Sequence, residues 1–595
     1  MKRHLIVSLG LVALGSSAHA ASLTELLPAG ALLTLETRDA AGAIGRIAGL
    51  LGSVMDTVAG PDDGGTQALN GMQELLKGSV GKEGAVGVFT VGRPGQTYSP
   101  ELLAVSRVDD LSAEFFGSLM KKRTGARVGV YTFARQGDVF AGMAGGLVYV
   151  STDKDLLMGY LGRLSGKAAP TLGVSGAYTG ARRPVGAQEL ALYVNFSATA
   201  KVIRGYLGKV ALPRLFAPVV DAVDTLGQYS AGFTTTDAGL TAASAHAANA
   251  QGKDQPLYRL LTSSTDFHVQ DIIPADAEAV QARACAPETG AYTARWLSRV
   301  DLFEPLGFLS DSQLASHLER AGRYLGGECA QVTLAGGMEA GLETRDQLSG
   351  LAHRVSYQRV RDLDAAKAHM PEYAASVNAA IAGLGPSLKA LADLAASDPG
   401  SSPLSRSLPG GMKGAAGLGR AALDSSMQQI QAMLSGLKMV YAFRGDYVIT
   451  AWSDEALKAA LDDTAAPLAQ DAAFQAADLS MSGAGWSYQP NLPELSAADF
   501  QAVIDNAMAQ AAGPAPTGGA VTSDLTEEEQ AMQAAIDALG SRRGRGSGAG
   551  GMDDMMAGMS GAVTEMINRY DGMSTQSRVQ GSVILGKSSV TYRWE

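Results

Sequence analysis

Val139-Phe140-Ala141-Gly142-Met143-Ala144-Gly145-Gly146-Leu147-Val148-Tyr149-Val150-Ser151-Thr152-Asp153 has a counterpart far downstream, Val440-Tyr441-Ala442-Phe443-Arg444-Gly445-Asp446-Tyr447-Val448-Ile449-Thr450-Ala451-Trp452-Ser453-Asp454. Val139-Phe140-Ala141, Leu147-Val148 and Asp153 before Leu156 match Val440-Tyr441-Ala442, Val448-Ile449 and Asp454 before Leu457 at one constant offset. Both segments read as a hairpin, a strand, and a helix N-cap at Ser, Thr or Asp.

Three more matches keep the same order. Leu27-Pro28-Ala29-Gly30-Ala31 before the alternating strand Leu33-Thr34-Leu35-Glu36-Thr37 is echoed by Ile273-Pro274-Ala275-Asp276-Ala277 before Val280-Gln281-Ala282-Arg283. Arg107-Val108-Asp109-Asp110-Leu111-Ser112-Ala113 is echoed by Arg359-Val360-Arg361-Asp362-Leu363-Asp364-Ala365, where a strand hands over to a helix. Gly232-Phe233-Thr234-Thr235, turning at Asp237-Ala238-Gly239, is matched with Gly581-Ser582-Val583-Ile584-Leu585, turning at Gly586-Lys587. Ordered self-similarity of this kind marks an internal repeat. Alternating strands bury one face and leave the other polar or helix-covered, the habit of antiparallel sheets. The expected fold is therefore α+β in two similar lobes from an internal duplication, each a largely antiparallel sheet with helices packed on one face. The lobes are set at 21–250 and 255–595, with helices at Leu23 to Leu27 and Leu257 to Leu261 opening them. Insertions in the second are expected near 384–436 and 514–551, where the offset between copies grows.

Residues 1–20 read as a signal peptide: Lys2 and Arg3, an apolar run from Leu5 to Leu14, then Ala18-His19-Ala20. The run is shorter than a membrane span, which takes about 20 residues. This places the chain in the periplasm or at the cell surface, not membrane-spanning once cleaved. The formal charge of −11 deepens on losing Lys2 and Arg3, and lacks the basic footprint of a nucleic-acid binder. Two cysteines, Cys285 and Cys329, in an oxidising compartment form a candidate disulfide, with two buried thiols as the alternative. Closing that loop would stabilise by about 4 kcal/mol.

The chemistry-bearing motifs are sparse. His317 reads as a helix-surface residue and His353 as a strand histidine. His369 and Glu372 are separated by Pro371, with no third ligand evident, so no metal or cofactor is assigned. No Gly-x-Ser-x-Gly elbow occurs, and Ser151-Thr152-Asp153-Lys154 is one of several Ser-x-x-Lys matches lacking a Lys-Thr-Gly partner. Gly581 to Ser588 fits the Walker pattern, but strand-like residues fill it and no helix can follow, so it reads as a hairpin. No catalytic residue is assigned. Met552, Met555, Met556, Met559, Met566 and Met573 recur at helical spacing, as a core stripe or a face for an apolar ligand or partner.

The paired opening motifs, the Arg-Val-x-Asp-Leu handover and the segments around Asp153 and Asp454 resemble an uncharacterised family of exported bacterial proteins. That family carries a domain-of-unknown-function label, and the resemblance implies two tandem copies here. The resemblance implies export and an α+β repeat and carries over no catalytic residue. The expected function is an exported non-enzymatic cell-envelope protein acting as scaffold or binding module, with other envelope proteins or an apolar ligand as partners. The alternatives are a periplasmic carrier of a lipid or other apolar ligand, and an envelope-polymer hydrolase using paired carboxylates such as Asp109-Asp110 with Asp153.

Overall fold

A computed structural model describes residues 22–38, 83–91, 100–108, 125–136, 139–207, 213–236, 239–300, 313–338, 349–396, 436–490 and 569–592. Two compact units separate. The first comprises Gly71–Tyr258 with the opening segment and Gln580–Lys587, the second mainly Arg259–Val579 with Ser588–Glu595.

In the first unit β1 (Leu33–Thr37) lies between β2 (Glu83–Val91) and β8 (Leu190–Asn195). Beyond β2 come β3 (Pro100–Arg107), β7 (Leu147–Ser151), β6 (Val139–Ala144), β5 (Tyr131–Gln136) and β4 (Ala126–Val128). Beyond β8 come β9 (Gln228–Thr236) and β10 (Gly239–Ala247), and every pair is antiparallel. Helices α1 (Lys154–Leu164) and α2 (Gly176–Arg182) cover one face, where Leu157, Tyr160, Tyr178 and Ala181 bury against Leu103, Val105, Tyr149 and Tyr193. Helices α3 (Phe196–Leu207) and α4 (Pro213–Leu226) follow β8.

In the second unit, after α5 (Pro256–Leu261), a two-residue strand β11 (Thr265–Asp266) pairs with β17 (Ser482–Gly483). The main sheet centres on β12 (Ala279–Cys285), which α6 (Glu288–Val300) follows, and which lies between β13 (Leu325–Thr333) and β18 (Gly485–Gln489). On the β13 side follow β14 (Arg354–Val360), β16 (Tyr447–Ala451) and β15 (Val440–Arg444); on the β18 side follows β19 (Tyr570–Gln580), which leads into β20 (Val583–Tyr592), a strand counted with the first unit as far as Lys587. The pairs that join β12, β13, β14, β15, β16, β18 and β19 are again antiparallel. The α+β class with antiparallel sheets is what the alternating strands foretold.

Three details differ from the sequence reading. Helices flank both faces of the second sheet. Here α9 (Asp454–Ala460) and α10 (Ala472–Ala476) join the core with Ile449 and Trp486, whereas α7 (Leu314–Tyr324) and α8 (Leu363–Ala396) pack with Val448 and Val360. Tyr447, Val448 and Ile449 are all buried in succession, and neighbours on a strand point to opposite faces. Secondly, residues 22–27 form turns instead of a helix, closed by the Leu27 N–H on the Thr24 carbonyl. Thirdly, the last hairpin turns at Gly581-Ser582, where Gly581 has φ +63°, a conformation only glycine adopts freely. Gly586 and Lys587 continue β20, so the turn expected at Gly586-Lys587 sits five positions too late along one unbroken strand. Helix α8 runs 34 residues to Ala396, and residues 397–435 lie outside the described ones.

Candidate functional site

The sequence-singled residues fall as follows. Cys285 and Cys329 are joined in a disulfide between the adjacent strands β12 and β13, with Cα atoms 5.8 Å apart. Asp153 caps α1, accepting the Leu156 N–H at 2.8 Å, and Ser151 donates to the Leu102 carbonyl at 2.7 Å. Both serve the backbone, while Asp109 and Asp110 lie outside the described residues, as do Met552, Met555, Met556, Met559 and Met566. Met573 departs from the helical stripe: it stands in β19 opposite Gln489, because residues from Tyr570 onward alternate into the sheet.

Three of the residues set aside individually come together between α7 and α8. His317 Nδ1 lies 2.8 Å from His369 Nε2, and the two rings stack at 5.1 Å. The other His369 nitrogen, Nδ1, is 2.9 Å from the Tyr324 hydroxyl, whose oxygen also faces Met370 Sδ at 3.7 Å. Glu372 sits one turn after His369, and its Oε2 accepts from Arg320 at 2.9 Å. The ligand atoms of His317, His369 and Glu372 all lie within 4.8 Å of one another. His369 is fully buried, His317 half-buried and Glu372 exposed. Burial, then the positive field of Arg320, holds the His369 imidazole below the usual histidine range, and burial raises the Tyr324 phenol above its own. The cluster therefore has a neutral, fixed imidazole inside and a carboxylate at the rim.

The sequence concealed this because Pro371 reads as a break between His369 and Glu372. Helix α8 carries Pro371 in its interior and keeps both side chains on one face. His317 comes from 52 positions away, a distance no local pattern spans.

Among the described residues of the second unit, a cleft of about 110 Å³ opens beside Cys285 and Cys329, and two wider ones open elsewhere. One, of about 510 Å³, is edged by Asp276, His353, Glu455 and Asp462 with Leu334 and Ala456. The other, of about 340 Å³, lies on the sheet and is lined by Gln281, Gln331, Thr333, Ser487, Gln489 and Met573 among others. In the first unit the same cross-strand rows carry apolar residues. Leu35 pairs with Val86 and Leu192, Leu33 with Val88 and Val194. Leu35 is 39% exposed and Val86 37%, a side-by-side apolar pair open to solvent.

No family model matches this chain, and no curated protein matches it. Crystal forms I, III and IV of TP0453 are similar at 10%, 11% and 12% identity, with TM-scores of 0.20, 0.22 and 0.21. The matches cover 39%, 41% and 38% of this chain and 81%, 86% and 79% of those chains. Likeness at this level carries no argument for fold or function. What the described residues define is an α+β protein with antiparallel sheets, a disulfide, and a His–His–Glu cluster.

Proposed function

We propose that this chain is an exported, non-enzymatic cell-envelope protein that works as a scaffold or binding module, built on two copies of one α+β unit. The duplication is supported by matched braces. Glu83 on β2 accepts the Leu23 N–H at 2.8 Å and pairs with Arg107 on β3. Glu328 on β13 accepts the His268 and Val269 N–H groups and faces Arg359 on β14. Likewise the Leu172 N–H donates to the Leu27 carbonyl as the Leu468 N–H donates to that of Ile273.

The observation that carries the binding reading is the apolar row Leu33, Leu35, Val86, Val88, Leu192 and Val194, with Leu35 and Val86 exposed. Neighbouring large apolar side chains left in water mark a surface meant to be covered. The same row favours, as a second reading, a carrier for a lipid or other apolar ligand.

Native mass spectrometry of residues 21–595 purified from their own envelope separates the two. A clean subunit mass, or mass added only by other proteins, is expected. Mass that leaves on denaturation and proves to be lipid would replace the scaffold with the carrier. Leu35→Arg should abolish either kind of binding while leaving the chain folded.

A further inference from the structure

The pair of imidazoles and the carboxylate between α7 and α8 form a donor set that the scaffold reading does not use. We propose that His317, His369 and Glu372 hold one divalent transition-metal ion of the zinc class.

Two nitrogens and one carboxylate oxygen converge within 4.8 Å, as three ligands of one ion must. Imidazole and carboxylate together select zinc, nickel, cobalt or copper(II); magnesium and calcium prefer all-oxygen sites, and copper(I) prefers sulfur. Three protein ligands leave a fourth position for water, toward the side where His317 is half-buried and Glu372 exposed.

The surroundings already orient the ligands. Tyr324 at 2.9 Å fixes the His369 ring through Nδ1 and so aims Nε2 at His317. A ligating histidine is normally held this way through its second nitrogen. Tyr373 stacks on the same ring, with centroids 6.2 Å apart. Arg320 holds the Glu372 carboxylate through Oε2 at 2.9 Å and so fixes it beside the two imidazoles. Proton placement is consistent too. The ion takes the lone pairs of His317 Nδ1 and His369 Nε2. The His369 proton then resides on Nδ1 and is donated to the Tyr324 oxygen, whose own hydrogen turns to Met370 Sδ, 3.7 Å away. No proton need leave the cluster.

One adjustment is required. Ligands on a tetrahedral zinc stand about 3.3 Å apart, whereas the two nitrogens are 2.8 Å apart without one. His317, being half-buried, is the ring free to swing outward by that margin.

The test is isothermal titration of the full mature chain with zinc chloride at neutral pH, with cobalt(II) absorption as a second readout. One ion per chain should bind saturably. His317→Gln and Glu372→Gln, both at positions reached by solvent, should each weaken binding by about tenfold or more. Cobalt should give the intense visible bands of four- or five-coordination, lost in His317→Gln. Circular dichroism checks that the variants remain folded. Absence of saturable binding at submillimolar zinc would overturn the proposal, as would affinity unchanged in either variant.

Discussion

The pairing that lays leucine and valine across the first unit lays glutamine, serine and threonine across the second. Leu35 stands between Val86 and Leu192 on its neighbouring strands; Gln281 stands between Gln331 and Ser487 on the corresponding three. The opposite faces are alike, with Leu103, Val105, Tyr149 and Tyr193 in one core and Val355, Tyr357, Ile449 and Trp486 in the other. Because side chains alternate with period two, one buried face is enough to lock the register. Where helices leave the second face open, it is then free to be apolar for a partner or polar for solvent, and the two units use that freedom differently.

The largest test of this contrast is the disulfide. Cys329 pairs across the sheet with Arg283, and Gly84 holds the analogous place opposite Thr37. Replacing both cysteines with alanine should cost about 4 kcal/mol in chemical denaturation. Limited proteolysis of that variant should cut first between Arg259 and Val579. Early cutting between Gly71 and Tyr258 would break the assignment of this staple to the second unit alone.

Next come the two braces. Glu328 has no exposed side-chain surface and takes the His268 N–H at 2.8 Å, the Val269 N–H at 3.1 Å and the Tyr447 hydroxyl. Burial, then this carboxylate, raises the Tyr447 phenol, so it stays a donor. Glu328→Ala strands three donors in a dry interior and should cost about 3 kcal/mol. Glu83 is partly exposed, and its pair with Arg107 is open to water. Glu83→Ala should cost about 1 kcal/mol. Equal losses on urea denaturation would show that burial does not distinguish the braces.

These braces also show what the sequence could and could not display. Arg107 and Arg359 stood out as parts of two matching short segments, because such a match is read locally. Glu83 and Glu328 did not, since each earns its role only through chain segments about 60 residues away. The hairpin was legible too, but one position out of step. Identities align Asp153 with Asp454, whereas the residues that cap are Asp153 and Ser453. Phe140 pairs with Ser151 as Val440 pairs with Ala451. Aspartate and serine cap equally well, so residue identity misleads where geometry does not. The histidine cluster was hidden twice, by Pro371 and by distance, and the apolar row across β1, β2 and β8 emerges only once pairing is known.

Acid should distinguish the units more gently. Burial lowers His246, although its Nε2 meets the Leu226 carbonyl at 2.6 Å, and burial followed by Arg320 and His317 lowers His369. Each binds a proton less readily folded than unfolded. Stability is therefore complete above about pH 6.5, the free histidine value, and falls as pH drops through it toward the folded values. Salt should soften the part due to Arg320 and His317 in the second unit and leave the first unit's unchanged. Thermal melts of His246→Gln and His317→Gln against pH and salt read this directly. A fall in stability on raising the pH would reverse the sign and refute it.

The smallest energetic effect bears on the contrast most closely. Leu35→Ser with Val86→Ser removes an exposed apolar pair, and Gln281→Leu with Gln331→Leu creates one on the other unit. Both doubles replace side chains on faces that do not set the register, so each should move stability by only about 0.5 kcal/mol. Binding should move in opposite directions instead. The serine double should lose uptake of a hydrophobic dye and any envelope partner, and the leucine double should gain dye uptake. If the serine double instead loses several kcal/mol, the apolar row belongs to the first unit's core. The two sheets would then differ in how they are built, and the apolar face would no longer speak for a partner.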